Sequence, residues 1–274
     1  MHSENPLWRP SSFKRFETFF ESSTGVAKIV TDAGKAYIKP LGNAEGPHAL
    51  AREWIGTSLA RLFGLPTLEF AIMNVNEDDE IPLGHNKKAE FGPAFVTKES
   101  FGTPWSGSEE QLQCLENPDI IPHMVAFDTW ILNGDRFPTK GSPRKPNYDN
   151  VFLAREDNQS KKFKLLVMDH THCLKGETSL SKKIQNIDCV RDDKLYGMFP
   201  QFKKYLNLEK EIPRIEQKFQ NLDFPYIERE IIQTIPKEWD VAKDVQPALY
   251  NFLKGRADFL SQNIKLMFSN VLNS

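Results

Sequence analysis

Between Phe127 and Leu174, polar residues stand at the ends of apolar segments, and their order restricts the fold more than any other feature. The spacing predicts a helix over 119–132, with Ile121, Met124, Val125, Ile131 and Leu132 on its apolar side. That helix ends in Asn133-Gly134-Asp135-Arg136. A loop then leads to Asn150, which opens a strand, Val151-Phe152-Leu153. A polar turn, Glu156 to Ser160, joins it to a second strand, Phe163 to Met168, closed by Asp169-His170. A hairpin brings its outer ends together, so Asn150 and Asp169 are expected side by side, with Asp135 preceding them.

The remainder divides near residue 100. Upstream, Val26–Val30 and Ala36–Lys39 flank an Asp-Ala-Gly turn and read as a hairpin. Leu50, Trp54, Ile55, Leu59 and Leu62 predict a helix from His48 to Phe63, ended by Gly64 and Pro66. Strands follow at Thr67–Asn74 and Gly92–Lys98, separated by a polar loop over 76–90. Downstream, helical periodicity predicts helices at 194–206, 208–219, 225–234 and 243–269. The pattern is α+β, with a β-rich N-terminal region (1–100) and a larger, mostly α C-terminal region (101–274) carrying an embedded β-hairpin. A chain of 274 residues suits one large domain or two lobes of roughly 100–150 residues each.

Charge and composition narrow the function. Lys plus Arg number 35 and Asp plus Glu 37, a net charge of -2, so no excess of cations invites nucleic acid or an anionic membrane. Cys114, Cys173 and Cys189 are too few and scattered for a disulfide framework or a zinc site, and read as reduced thiols of a cytoplasmic protein. The first residues lack a signal-peptide pattern. The most apolar stretch, Leu59–Val75, is interrupted by Arg61, Pro66 and Glu69, and no membrane span is expected. His170 and His172 would share a strand face, but without Cys or acidic partners at metal spacing they predict no zinc.

The polar residues of the 127–174 stretch match the needs of phosphoryl transfer. One carboxylate, Asp135, would orient and deprotonate an attacking hydroxyl. An amide oxygen, Asn150, and a second carboxylate, Asp169, would hold Mg²⁺ against phosphates. Taken singly, each is an ordinary turn or strand end; the order and placement of all three make the case. Lys39, at a strand end, could neutralise phosphate charge if a carboxylate fixed its rotamer. Glu53 is the carboxylate within reach of that role, although it lies off the apolar stripe of its helix and by periodicity alone is as readily a solvated residue. The segment Ser22-Ser23-Thr24-Gly25, just before the first hairpin, is where a phosphate-covering loop would fall, or equally an ordinary loop.

These segments resemble the HipA-like kinases, in particular their short single-chain branch. The resemblance rests on Asn-Gly-Asp-Arg after a helix, Asn150 before an apolar strand, and Asp169-His170 after another. It extends upstream through Ala36-Tyr37-Ile38-Lys39, Arg52-Glu53-Trp54-Ile55 and Gly92-Pro93-Ala94-Phe95, and covers roughly residues 22–260. It implies a two-lobed protein-kinase-like fold and transfer of the ATP γ-phosphoryl group, with Mg²⁺, to a protein Ser/Thr hydroxyl. Asp135 would be catalytic and Asn150 and Asp169 metal-binding. Lys39, Glu53, Ser23, Thr24, Gly25, Phe95 and Val96 would contact ATP. Ser22, Ser23 and Thr24 could also receive phosphate themselves. Relatives work beside an antitoxin or DNA-binding partner protein, which this chain could share.

The sequence departs from the pattern twice. Fifteen positions separate Asp135 from Asn150, a longer spacer than the family's, and this basic, Pro-rich excursion makes Asn147 an alternative to Asn150 as the metal amide. Phe137 stands where the family commonly has His. Arg136 is expected to brace the loop rather than to touch phosphate. Asp128, inside an apolar helix, needs a partner if buried, and a bond to the catalytic loop would supply it. Two other readings stay open: a nucleotide-binding pseudokinase or interaction module, and a small-molecule or lipid kinase on the same fold.

Overall fold

The computed structural model describes residues 8–20, 25–84, 87–139, 145–176 and 179–272. Its N-terminal part is organised by an antiparallel sheet whose central strands alternate small or branched residues with polar ones. β1 (Phe13–Phe19) pairs with β2 (Ala27–Thr31), and β2 pairs with β3 (Gly34–Leu41) through the turn at Asp32-Ala33-Gly34. Helix α1 (Pro47–Leu62) follows, then β4 (Phe70–Val75). A two-stranded ribbon, β5 (Pro82–Gly84) and β6 (Lys87–Lys88), precedes β7 (Glu90–Lys98). The sheet order is β1-β2-β3-β7-β4. Strand β1 and the ribbon are additions to the predicted set. β1 has no fully buried residue along its length, so its sequence carries no apolar signal.

Because a strand alternates its faces, the sheet faces two different environments. Ala27, Ile29, Ala36, Ile38, Met73, Ala94 and Val96 pack together with Trp8, Ile81 and Leu83 as one core. The opposite face carries Tyr37 across from Thr97 and Lys39 across from Phe95. Phe95 belongs to the second, larger core, which runs from α1 through the C-terminal helices.

From β7 the chain crosses at Glu99–Phe101 into a second antiparallel sheet, β10-β9-β8. Its strands are β8 (Gly102–Pro104), β9 (Val151–Ala154) and β10 (Lys164–Val167), the last two forming the predicted hairpin. Around it lie α2 (Glu109–Gln113), α3 (Ile120–Trp130), α4 (Ile187–Val190), α5 (Leu208–Gln220), α6 (Phe224–Tyr226, continuing as a π turn over Ile227–Ile232) and α7 (Val245–Leu272). The molecule is therefore a mixed fold with a β-sheet N-terminal region and a mainly helical C-terminal region. The predicted helix over 194–206 is a correction: only Pro200–Tyr205 is helical, as a 3₁₀ segment opened by Pro200. Phe199 and Phe202 are buried there against Trp105, so their three-residue spacing served a short turn rather than a long helix.

Indole hydrogen bonds and an aromatic cluster are among the contacts that tie the two regions. The Trp239 indole donates to the Pro93 carbonyl of β7 (2.9 Å) and the Trp54 indole of α1 to the Ile231 carbonyl (3.1 Å). Phe63, at the end of α1, packs its ring on Phe127, Trp130 and Phe219. Cys114, Cys173 and Cys189 are free thiols. No described helix is long and apolar enough to cross a membrane.

Candidate active site

Helix α3 ends in a way that aims the loop behind it. Leu132 adopts a left-handed conformation (φ 52°), and the Asn133 N–H reaches back to the Asp128 carbonyl at 2.8 Å. This is the six-to-one closure of a Schellman motif, with leucine where glycine is usual. The turn folds Asn133 and Arg136 back onto Asp128, and all three are buried. Asp128 accepts from Asn133 Nδ2 (3.0 Å) and Arg136 Nε (2.7 Å). Burial raises the Asp128 carboxyl above its ordinary pKa against the opposing pull of Arg136. The expected partner of Asp128 is thus in place, and Arg136 is a brace: its Nη1 donates to the carbonyls of Asn150 and Met168. One guanidinium thereby fixes both outer ends of the hairpin.

Val151 pairs with Val167, so Asn150 and Asp169 both lie just beyond the last rung. Asn150 is buried, and its Nδ2 donates to Asp135 Oδ2 at 2.8 Å. Asn147 Nδ2 donates to the same oxygen at 3.2 Å. His172 Nδ1 stands 3.7 Å from it, with Glu45 3.6 Å from the other ring nitrogen.

Asp169 takes a left-handed backbone (φ 57°), which Asp tolerates better than most residues. Its carboxylate, with the side chain 37% exposed, meets the Lys39 ammonium at 2.9 Å. Lys39 also bonds Glu53 at 2.7 Å and the Thr171 hydroxyl at 3.0 Å. Glu53 is 3% exposed and anchors the group from α1. It accepts from Lys39, from Thr171 (2.8 Å), from the His170 N–H (3.3 Å) and from Thr57 (3.3 Å). Periodicity does not decide between solvent and core for Glu53. The helix is buried on nearly every side, so no polar face existed to receive it.

The electrostatics follow from these contacts. Burial disfavours the Asp169 carboxylate, but Lys39, by charge and hydrogen bond, together with Thr171, holds its pKa well below the usual carboxylate range. Burial likewise disfavours the Lys39 ammonium, and Asp169 and Glu53 outweigh it, raising its pKa. Both groups therefore stay charged. His170 is fully buried between Thr57 (3.1 Å to Nδ1) and the edge of Phe127, and burial drives its pKa well down, so it is neutral. The expectation that His170 and His172 share a strand face is corrected. They sit in a turn, His170 buried and His172 partly exposed.

A cavity of about 310 Å³ opens on this group. Lys39, Glu53 and Asp169 form its polar end. Phe20, Tyr37, Phe95, Phe152 and Met168 line much of the rest. Of the predicted pair on β7, Phe95 lines the cavity, whereas Val96 turns into the opposite core, as strand alternation requires. Gly25 has φ 59°, a conformation glycine adopts without strain, and the Phe20 N–H bonds the carbonyl of Val26, which follows Gly25. Ser22, Ser23 and Thr24 lie outside the described residues. Sequence reasoning missed Thr57, Thr171, Tyr37 and Thr97. Thr171 had a signal, two residues beyond Asp169; the others are visible only once β3, β7 and α1 share a face.

The donor chemistry suits a hard cation. Among the described residues no three His, Cys, Asp or Glu side chains form a metal cage. Asp169, held ionised, and the Asn150 amide are oxygen donors of the kind Mg²⁺ takes when phosphates and water complete its shell.

Comparison with known proteins bears on the family and the fold. A family model described as HipA-like kinase matches residues 29–265. No curated protein sequence matches the chain. Its fold is similar to the crystal structure of a Helicobacter pylori proinflammatory kinase, CtkA, with a TM-score of 0.60 over 95% of this chain and 97% of that one. The two are 12% identical, so the likeness is one of fold alone. With the match spanning most of its length, the chain belongs to the HipA-like kinase family.

Proposed function

We propose that this protein is an ATP- and Mg²⁺-dependent kinase that transfers the γ-phosphoryl group to a protein Ser/Thr hydroxyl, working as a two-lobed, protein-kinase-like enzyme in the cytoplasm. In this reading residues 1–100 form the nucleotide lobe and 101–274 the catalytic lobe. The observation that carries it is the Lys39 ammonium, bonded at once to Glu53 of α1 and to Asp169 just past β10. At the other outer end of the same hairpin Asn150 bonds Asp135.

Each side chain has a defined task. Glu53 holds Lys39 in one rotamer, so its charge is directed at the cavity rather than into solvent. Lys39 would meet the α- and β-phosphate oxygens. Asp169 and Asn150 would hold Mg²⁺, which supplies charge neutralisation between the phosphates. Asp135, steadied by the Asn150 amide, would accept the proton of the attacking hydroxyl. Phe95 and Tyr37 offer apolar surface for a nucleotide base. A neutral His170 adds no competing cation beside Lys39.

The test is phosphate transfer from γ-labelled ATP to whole-cell lysate protein, comparing wild type with Asp169→Ala and Asp135→Ala. Labelling by the wild type and its loss in both variants is expected. Equal labelling by all three would overturn the assignment. Nucleotide binding without labelling by the wild type would favour the pseudokinase reading.

A further inference from the structure

The long spacer between Asp135 and Asn150 has a fixed base. Phe137 at its start packs edge-on against Phe199 (centroids 5.1 Å), and Tyr148 at its end stacks on the same ring at 5.1 Å. Phe199 is fully buried, and Tyr148 is also held edge-on by buried Trp105 at 5.1 Å. Between these anchors the Asn147 N–H donates to the Arg136 carbonyl at 3.0 Å, closing the two ends like the last rung of a ladder. Arg136 is in turn immobilised by Asp128. The position of Asn147 is therefore set by buried groups on both sides.

From that base the Asn147 side chain reaches the carboxylate expected to accept the substrate proton. Its Nδ2 donates to Asp135 Oδ2 at 3.2 Å, the oxygen already bonded by Asn150 at 2.8 Å. Two amide donors converging on one oxygen define the rotation of a carboxylate far better than one. A single hydrogen bond leaves the group free to swing about the N–O line; a second, from another direction, removes that freedom. Proton acceptance in phosphoryl transfer depends on such placement, and small displacements of a reacting group cost large factors in rate.

We infer that Asn147 is a positioning residue, through which the inserted segment orients Asp135 for proton acceptance. This rests on the kinase reading above. In this reading Asn150, buried beside the hairpin, keeps the part of the metal amide, and Asn147 acts on Asp135.

The experiment measures ADP release by the full chain with Mg·ATP and heat-inactivated lysate protein as the acceptor mixture. Wild type is compared with Asn147→Ala, Asn147→Asp and Asn147→Gln. Positioning predicts a fall in kcat on the order of tenfold for Ala, with the KM for ATP unchanged and partial recovery in Gln. It predicts a deeper loss for Asp, which is the same size but sets a second negative charge where a donor stood. A space-filling role predicts the reverse order, with Asp nearer to wild type than Ala, and that order would overturn the inference. So would wild-type kcat in all three variants. A second readout needs no turnover. In a thermal-unfolding cycle of Asn147→Ala with Asp135→Leu, non-additive melting shifts are expected, and additive shifts count against the contact. If wild type and Asp169→Ala release ADP equally, the kinase reading itself fails; if only the Asn147 variants match wild type, this inference alone fails.

Discussion

Gly56 of α1 lies against His170 so closely that a Cβ at position 56 would stand 2.3 Å from the His170 Cβ and 2.8 Å from its Cγ. This approach lets α1 dock on the turn carrying Asp169, and it sets the distance at which Glu53 meets the Thr171 hydroxyl and the His170 N–H. Gly56→Ala adds a single methyl, and both its neighbours here are anchored. The expected outcome is a loss of about 1–3 kcal/mol in stability, typical of overpacking, and a larger proportional loss of turnover because Lys39 is displaced with Glu53. Urea unfolding and ADP release measure the two. A variant as stable and active as wild type would show that α1 shifts freely along the turn.

Glu53 gathers four donors on one buried carboxylate, which makes its two simplest substitutions informative. In Glu53→Ala, Lys39 keeps Asp169 but loses its buried partner, and removing one member of a buried pair costs roughly 3–5 kcal/mol. Glu53→Gln keeps the volume and turns one oxygen into an amide that cannot accept from Lys39. Its expected signature is a higher KM for ATP and a reduced kcat, with a smaller change in stability than for Ala. If the Gln variant turns over ATP like wild type, Glu53 does not orient Lys39 during catalysis.

How much of this was legible beforehand depended on whether the signal was local. Asp135, Asn150 and Asp169 each sit at a boundary between an apolar run and a turn, and such boundaries are local properties of sequence. Lys39 was legible as a strand-end cation, and Asp128 as a polar residue that a buried helix must satisfy. Glu53 was not, since α1 is enclosed by the sheet and by the C-terminal helices and periodicity cannot mark a face when every face is covered. Val96 shows the converse. Adjacent strand residues share a motif but not a side of the sheet, and the register with Ile38 sends Val96 to the far core. Strand β1 pairs through its backbone with little buried side-chain area, which no pattern of apolar residues records.

Acid should weaken the fold before it reaches the carboxylates. His170 is kept neutral first by burial and next by the charge of Arg136, which together outweigh the opposing pull of Asp169. Its pKa in the folded chain is therefore far below the ordinary 6.5 that the unfolded chain restores. As pH falls through that value the unfolded state takes up a proton that the folded state refuses. The stabilisation is complete above it and erodes below it, by up to about 1.4 kcal/mol per pH unit for each such histidine. His123, whose pKa burial also lowers, contributes in the same direction. Asp169 loses its own stabilisation on acidification too, but only as pH falls through the ordinary carboxylate value of 3.8 and beyond. Unfolding free energies between pH 7 and about 5 should therefore fall less steeply in His170→Gln than in wild type. Identical slopes would mean that His170 takes up its proton without unfolding.

Asp169 serves Lys39 in this structure and would serve Mg²⁺ in the working enzyme, and the two demands can be separated by ligand-dependent stability. A ligand that binds only the folded chain stabilises it by about 2.7 kcal/mol at a hundred times its Kd. For a chain of this size, 1 kcal/mol corresponds to roughly 2–4 °C in Tm. Wild type should gain stability from ATP alone, through Lys39 and the apolar cavity, and gain a further increment when Mg²⁺ is added. Asp169→Ala frees Lys39 from one carboxylate, so the ATP-only shift is expected to persist or grow. The same substitution removes the one ionised oxygen ligand assigned to the metal, and the Mg²⁺ increment should vanish. Differential scanning fluorimetry with ATP, with Mg²⁺ and with both resolves the two contributions. A full Mg²⁺ increment in Asp169→Ala would move the metal to other carboxylates near the cleft, with Asp135 and Glu45 the next to substitute, and would leave Asp169 as a partner of Lys39 alone.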